Sequence, residues 1–328
     1  MGRVAAFFHE LSLPVLEAGP KLSEMPPETK KASKAEVFRA RLTSTLILWA
    51  IVTAVFVSQN VWAFYGLVTF LAVAGTLEFR SLFRSLPGGG CRDIGIFIGL
   101  VVVLPTGWCF AIGVMDHNDT MWEFAGLIVV LLGSFFVRFQ HGIEGRQSID
   151  AVGDGLLAYV YVPILFGAFV FRLIFLTGAD LPVSGSAVPG AWLLLLMISA
   201  AKFTDMGAYI TGSLIGKHKM APKLSPAKTW EGFMGALGFA QVAAWGIWFW
   251  GGDSLAWIPG HHVGILALLI GLVAVAGDLA ESILKRSLEV KDSGNLMPGI
   301  GGILDLIDSL CFAAPVTYFY LIATGLIS

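Results

Sequence analysis

The feature that most limits this chain is a series of apolar blocks, each close to the ~20 residues that a helix needs to cross a bilayer. They fall at 42–58, 61–77, 94–115, 121–137, 151–176, 190–210, 230–250, 262–283 and 301–326. Backbone in lipid must satisfy its own hydrogen bonds, so blocks of this length predict helices. The expected fold is an all-α polytopic membrane protein with nine transmembrane helices. Charge content agrees, since 13% of residues are charged against about a quarter in soluble domains. The net charge of −2 provides no basic field to attract nucleic acid.

Lysine and arginine set an expected orientation. They occupy the tail before residue 42 and the connectors holding Arg80, Arg84 and Arg92, then Arg138 and Arg146, then Lys217, Lys219, Lys223 and Lys228, then Lys285, Arg286 and Lys291. The alternate connectors, 59–60, 116–120, 177–189 and 251–261, contain neither residue, and only Arg172 and Lys202 fall within blocks. The positive-inside rule then places the N-terminus and every basic connector in the cytoplasm and the C-terminus outside. The expected organisation is a cytoplasmic tail over 1–41, N-terminal transmembrane helices over 42–189, and a region over 190–328 that carries the candidate site, with cytoplasmic loops at 211–229 and 284–300. The tail segment PPETKKASKAE is polar and reads as flexible or helical chain. The opening MGRVAAFFHELSLP has too short an apolar stretch for a signal peptide, and Ala6 breaks the myristoylation pattern. Cys91, Cys109 and Cys311 are scattered, form no CxxC pair, and read as small buried hydrophobes.

Three blocks bring charges to one depth near the cytoplasmic face. The sixth carries Lys202 and Asp205, the eighth Asp278, Glu281, Lys285 and Arg286, and the ninth Asp305 and Asp308. A charge at mid-membrane costs ~2.5–3.5 kcal/mol on insertion scales. Several at one depth therefore predict a polar cavity between helices. Asp278 and Glu281 are spaced i, i+3, as are Asp305 and Asp308, so each pair shares a helix face. Four carboxylates on two helices suit hard cations such as Mg²⁺, whose shell substrate phosphates complete. Two plainer roles are open to the same acids: complementing the dipole at the start of the ninth helix, and pairing with Lys285 or Arg286.

Glycines and lysines supply the other half of a phosphate site. Pro298, Gly299, Gly301 and Gly302 precede the ninth block, where glycine lets backbone approach a ligand and free helix N–H groups favour phosphate. GSLIGKH at 212–218 is not a Walker A loop, because its spacing is wrong and no Ser or Thr follows the lysine. The connector GKHKMAPKLSPAKTWEG places Lys217, Lys219, Lys223 and Lys228 beside Ser225 and Thr229, a set able to grip a polyphosphate or a lipid head group. A generic positive-inside loop would look similar.

At these residues the sequence resembles the phosphatidate cytidylyltransferase family, also called CDP-diacylglycerol synthases. The family signature S-x-x-K-R-x4-K-D-x-G-x-x-x-P-G-x-G-G-x-x-D-x-x-D runs here through Ser282, Lys285, Arg286, Lys291, Asp292, Gly294, Pro298, Gly299, Gly301, Gly302, Asp305 and Asp308. DMGAYITGSLIGKHKMAPKLSPAKTWEG and GDLAES are similar to two further family segments. The resemblance is dense over about 200–310 and topological before it. This chain has Ile300 and Leu306 where many members have His and Arg. The resemblance implies an integral enzyme of the cytoplasmic membrane, active on the cytoplasmic face, that converts CTP and phosphatidate to CDP-diacylglycerol and pyrophosphate for phospholipid synthesis. It implies catalytic Asp278, Asp305, Asp308 and Lys291. Mg²⁺, with a second cation as an option, would be held by Asp278, Asp305, Asp308 and Glu281. Substrate contacts would come from Lys217, Lys223, Ser225, Lys228, Thr229, Lys285, Arg286, Asp292, Gly299, Gly301 and Gly302. A homodimer is expected from the resemblance alone.

Two other readings fit parts of the pattern. A CTP-dependent kinase or cytidylyltransferase for a polyprenol-type lipid would share the polar site at the inner leaflet. A cation-coupled transporter would place its acids near mid-membrane with access from both faces, whereas the acids here cluster toward one face.

Overall fold

The computed structural model describes residues 34–84, 88–116, 118–141, 145–176, 188, 190–222, 224–290, 293–294 and 301–327. Among the described residues lie nine helices: α1 (Lys34–Ser58), α2 (Val61–Leu82), α3 (Gly89–Ala111), α4 (Met121–His141), α5 (Arg146–Ile174), α6 (Ala191–Ile215), α7 (Trp230–Gly251), α8 (Gly260–Ser287) and α9 (Ile303–Ala323). Each expected block corresponds to one of them. Helices α2 to α9 are long and apolar enough to cross a membrane, which makes this an all-helical polytopic membrane protein with eight candidate crossings. The first block differs. The apolar part of α1 is only Leu46–Ser58, short of the ~17 residues a crossing needs, because Arg41, Thr43, Ser44 and Thr45 open it.

Helices α5 and α9 form the centre of the bundle, with 72% and 61% of their apolar windows enclosed by protein. Helix α9 touches α2, α5, α6 and α8. The outer helices leave large apolar side chains uncovered, among them Leu132, Phe136 and Phe139 on α4 and Val242 and Phe249 on α7, as a lipid-facing surface requires. Within α5 the turns over Val160–Ala168 widen to a π-helix containing Pro163. Proline lacks an N–H and crowds the preceding turn, and the wider winding carries the helix past it without a break.

Without a hydrophobic drive between helices in lipid, close backbone approach at small residues holds them together. Helices α3 and α5 meet this way. A Cβ on Gly95 would run into the carbonyl oxygen of Gly155, and one on Gly155 would lie 2.8 Å from the carbonyl oxygen of Cys91. Gly95→Val is therefore expected to lower stability by about 1–3 kcal/mol, the usual cost of overpacking. The check is the thermal unfolding midpoint in detergent. The same change at Gly153, where nothing lies within 4 Å of a Cβ, is expected to leave the midpoint near wild type.

The connector after α6, expected as an irregular loop, closes into an antiparallel hairpin of β1 (Lys219–Ala221) and β2 (Ser225–Thr229). Glu231, in the first turn of α7, clamps it. The Glu231 carboxylate accepts from the backbone N–H groups of Lys217 and His218 at 3.1 and 3.2 Å, and it meets His218 Nδ1 at 2.5 Å.

Candidate active site

The spacing along three helices and the hairpin decides which charges meet. On α8, Asp278, Glu281 and Lys285 follow at i, i+3 and i+7 and share one face. On α9, Asp305 and Asp308 do the same, and α6 adds Asp205. The hairpin adds Ser225, Lys228 and Thr229. Together they line a cavity of about 570 Å³, completed by residues such as Tyr209, Met220, Phe233 and Val275. Every lining residue lies between 205 and 308.

Two lysines tie these elements together. Lys285 Nζ lies 2.9 Å from Glu281 Oε2 and 2.7 Å from Asp305 Oδ1, joining α8 to α9. Lys228 Nζ lies 2.7 Å from Asp278 Oδ2, joining the hairpin to α8. Asp305 Oδ2 also accepts from the N–H of Gly302 at 3.0 Å. Asp308 is buried, and its Oδ1 accepts from the N–H of Ser309 at 2.5 Å. Outside the cavity lining, Lys202 on α6 donates to Ser309 Oγ at 3.1 Å and lies 3.8 Å from Asp205 Oδ2. Thr229 has a structural duty besides facing the cavity, because its Oγ1 caps α7 by accepting from Gly232 N–H at 3.1 Å.

The expected residues divide accordingly. Asp278, Glu281, Lys285, Asp305, Asp308, Ser225, Lys228 and Thr229 come together. Lys217 and Arg286 are not among the lining residues. Arg286 is exposed, since neighbours on a helix point about 100° apart and Lys285 takes the cavity side. Gly301 and Gly302 open α9 without lining the cavity, and Gly301 has φ of +115°. Lys223, Lys291, Asp292 and Gly299 lie outside the described residues, as do Pro298 and Ile300. Asp205 and Tyr209 line the cavity although the sequence reading gave them no site role. Asp205 carried a usable signal, its depth on the sixth block. Tyr209, one turn further, carried a signal only as part of the family-like segment DMGAYITG. Cys91 and Cys311 are buried as expected, and Cys109 is half-buried.

Among the described residues, no three His, Cys, Asp or Glu side chains form a ready-made metal cluster. The chemistry of the donor set nevertheless suits a hard cation. All the acidic donors are carboxylate oxygens, and Glu281 Oε1 is buried with no hydrogen-bond partner. Five carboxylates face two ammonium groups in the cavity, a formal excess of three negative charges. A polyphosphate would enter such a site only in company with cations.

Residues 39–324 match a model of the cytidylyltransferase family. Similar proteins include the phosphatidate cytidylyltransferase of Synechocystis sp., 41% identical over 281 residues that cover 80% of this chain and 89% of that protein. The phosphatidate cytidylyltransferase of Bacillus subtilis is 32% identical over 239 residues, 72% of this chain and 79% of that protein. That of Haemophilus influenzae is 43% identical over 134 residues, a shorter match covering 40% of this chain and 46% of that protein. The family match runs from α1 to the end of α9 and takes in every residue of the cavity, so the chain belongs to the cytidylyltransferase family.

Proposed function

We propose that this protein is a phosphatidate cytidylyltransferase, converting CTP and phosphatidate to CDP-diacylglycerol and pyrophosphate for phospholipid synthesis. The observation that carries the reading is the cavity itself, in which lysines and carboxylates from α6, α8, α9 and the hairpin meet within membrane-spanning helices. One substrate is a soluble polyanion and the other a lipid, so a site of this kind must serve both water and bilayer.

In the reaction a phosphate oxygen of phosphatidate attacks the α-phosphorus of CTP. The bond from that phosphorus to the bridging oxygen breaks, and pyrophosphate leaves with the electron pair. The protein has little covalent work to do, and positioning with charge neutralisation supplies the catalysis. Lys228 and Lys285 exchange their carboxylate partners for phosphate oxygens when substrate enters. Lys217, Lys223, Arg286, Lys291 and the glycine-rich approach to α9 are the further proposed phosphate contacts, with Lys291 also proposed as catalytic and Asp292 as a substrate contact. Asp278, Glu281, Asp305 and Asp308 are the proposed holders of Mg²⁺, with a second cation where the charge requires it. When bound, the metal neutralises the triphosphate and the leaving pyrophosphate. Positive-inside loops support a cavity facing the cytoplasm at the cytoplasmic membrane and an outer C-terminus; a cytoplasmic N-terminus follows if α1 adds a ninth crossing to the eight candidates.

Purified protein in detergent with CTP, phosphatidate and Mg²⁺ is expected to release pyrophosphate in step with CDP-diacylglycerol. Release that ignores the presence of phosphatidate, or no release with all three components, would sink the proposal.

A further inference from the structure

Glu78 is a buried charged residue with no part in the chemistry above, at 1% exposure near the end of α2. Its Oε2 accepts from the backbone N–H of Leu304 at 2.9 Å, a contact between residues 226 positions apart. Leu304 lies in the first turn of α9, immediately before Asp305. The first N–H groups of a helix have no partner inside it, and a Ser, Thr, Asp or Asn at the N-cap usually supplies one. The N-cap of α9 is Gly302, which has no side chain to offer. Nor is there room for one, because a Cβ there would run into Ser293 Oγ and lie 2.6 Å from Glu78 Oε2. Glu78 therefore does from another helix what a cap residue does locally. Its second oxygen, Oε1, is buried without a hydrogen-bond partner, as is the Ser293 hydroxyl. A Cβ on Gly294 would lie 2.6 Å from that Oε1. Residues 293–294 and the start of α9 thus both lie against this one carboxylate. Asp305, one residue on, receives the N–H groups of Gly302 and Ser293 at 3.0 and 3.4 Å, and Lys285 at 2.7 Å.

We infer that Glu78 is a positioning residue for the active site. It fixes the first turn of α9 and residues 293–294 so that Asp305 and Asp308 face the cavity. It acts through the Leu304 amide and is not among the residues lining the cavity. Its effect on catalysis rests on the cytidylyl-transfer reading of that cavity, whereas the contact itself does not.

The test uses the full chain in detergent and has two arms. In the first, amide hydrogen exchange is followed over 301–309. Glu78→Ala is expected to speed exchange there about tenfold, as local opening becomes easier. Glu78→Gln, which keeps an oxygen to accept from Leu304, is expected to match wild type. In the second arm, Glu78→Ala is expected to lower kcat about 10²-fold, the scale of a misplaced catalytic group, with KM for CTP little changed and with Gln recovering most of the loss. If the Ala variant fails to fold, Glu78→Asp, which draws the carboxylate back by one methylene, is expected to give a smaller rise in exchange in the same segment. Unchanged exchange in the Ala or Asp variant read, a Gln variant that exchanges as fast as Ala, or a folded Ala variant with wild-type kcat would overturn the inference. Absence of cytidylyl transfer in wild type would reject the functional reading alone, because the exchange arm still decides what Glu78 does.

Discussion

Asp308→Asn is expected to slow pyrophosphate release on the order of 10²–10³-fold, the loss seen when one preorganised electrostatic group is removed from an active site. Asp308 lines the cavity and is itself buried, so its charge acts where water screens it least. The substitution removes that charge at nearly constant volume, and the amide oxygen can still accept from Ser309 N–H. Folding should therefore survive while the proposed metal and phosphate binding fails. Asp305→Asn is expected to reduce activity similarly, with an added loss of attraction between α8 and α9 through Lys285. Asp253→Asn, on an exposed turn after α7, serves as the control and should keep full activity. Steady-state kinetics on folded variants decides the matter. If Asp308→Asn retains more than about a tenth of wild-type activity, about 1.4 kcal/mol or less of transition-state stabilisation, Asp308 has no central role.

The second large effect concerns stability and lies at the other end of α9. Arg172 on α5 is almost wholly buried. Its Nη2 lies 2.8 Å from Glu123 Oε1 and 2.7 Å from the carbonyl oxygen of Asp119, and its guanidinium sits 5.3 Å from the Phe110 ring centre. Nearby, Tyr318 at the far end of α9 donates to Asn118 at 3.2 Å. Removing one member of a buried pair strands the other charge, at a cost of about 3–5 kcal/mol. Arg172→Met is expected to lose stability on that scale, read by denaturant unfolding in detergent. The double variant Arg172→Met, Glu123→Leu is expected to regain much of it, because both charges of the Arg172–Glu123 pair are then removed together. At temperatures where Arg172→Met stays folded, its kcat should be near wild type, since the cavity is at the opposite end of the bundle. A loss under 1 kcal/mol would show that the pair behaves like an exposed one.

Much of this was legible in the sequence because the signals are local. Blocks of apolar residues announce helices by length, and acids at i, i+3 announce a shared face. Asp278, Glu281, Asp305 and Asp308 could therefore be placed together before any fold was known. Arg286 could not be sorted from Lys285, because adjacent residues leave a helix in different directions and the sequence does not say which direction meets the cavity. The hairpin at 219–229 escaped notice because its strands are short and polar, and Glu231 and His218 hold it by a contact outside the strands. Glu78 was invisible for a different reason. A lone acid at the end of an apolar block reads as an interfacial charge, and nothing local links it to Leu304, 226 positions away.

The central claim is transfer of the cytidylyl group, and labelled CTP tests it most directly. With phosphatidate and Mg²⁺, label at the α-phosphorus is expected to appear in lipid, and label at the γ-phosphorus in pyrophosphate. Label at the γ-phosphorus moving into lipid, with release of CDP, would contradict the account and identify a lipid kinase instead.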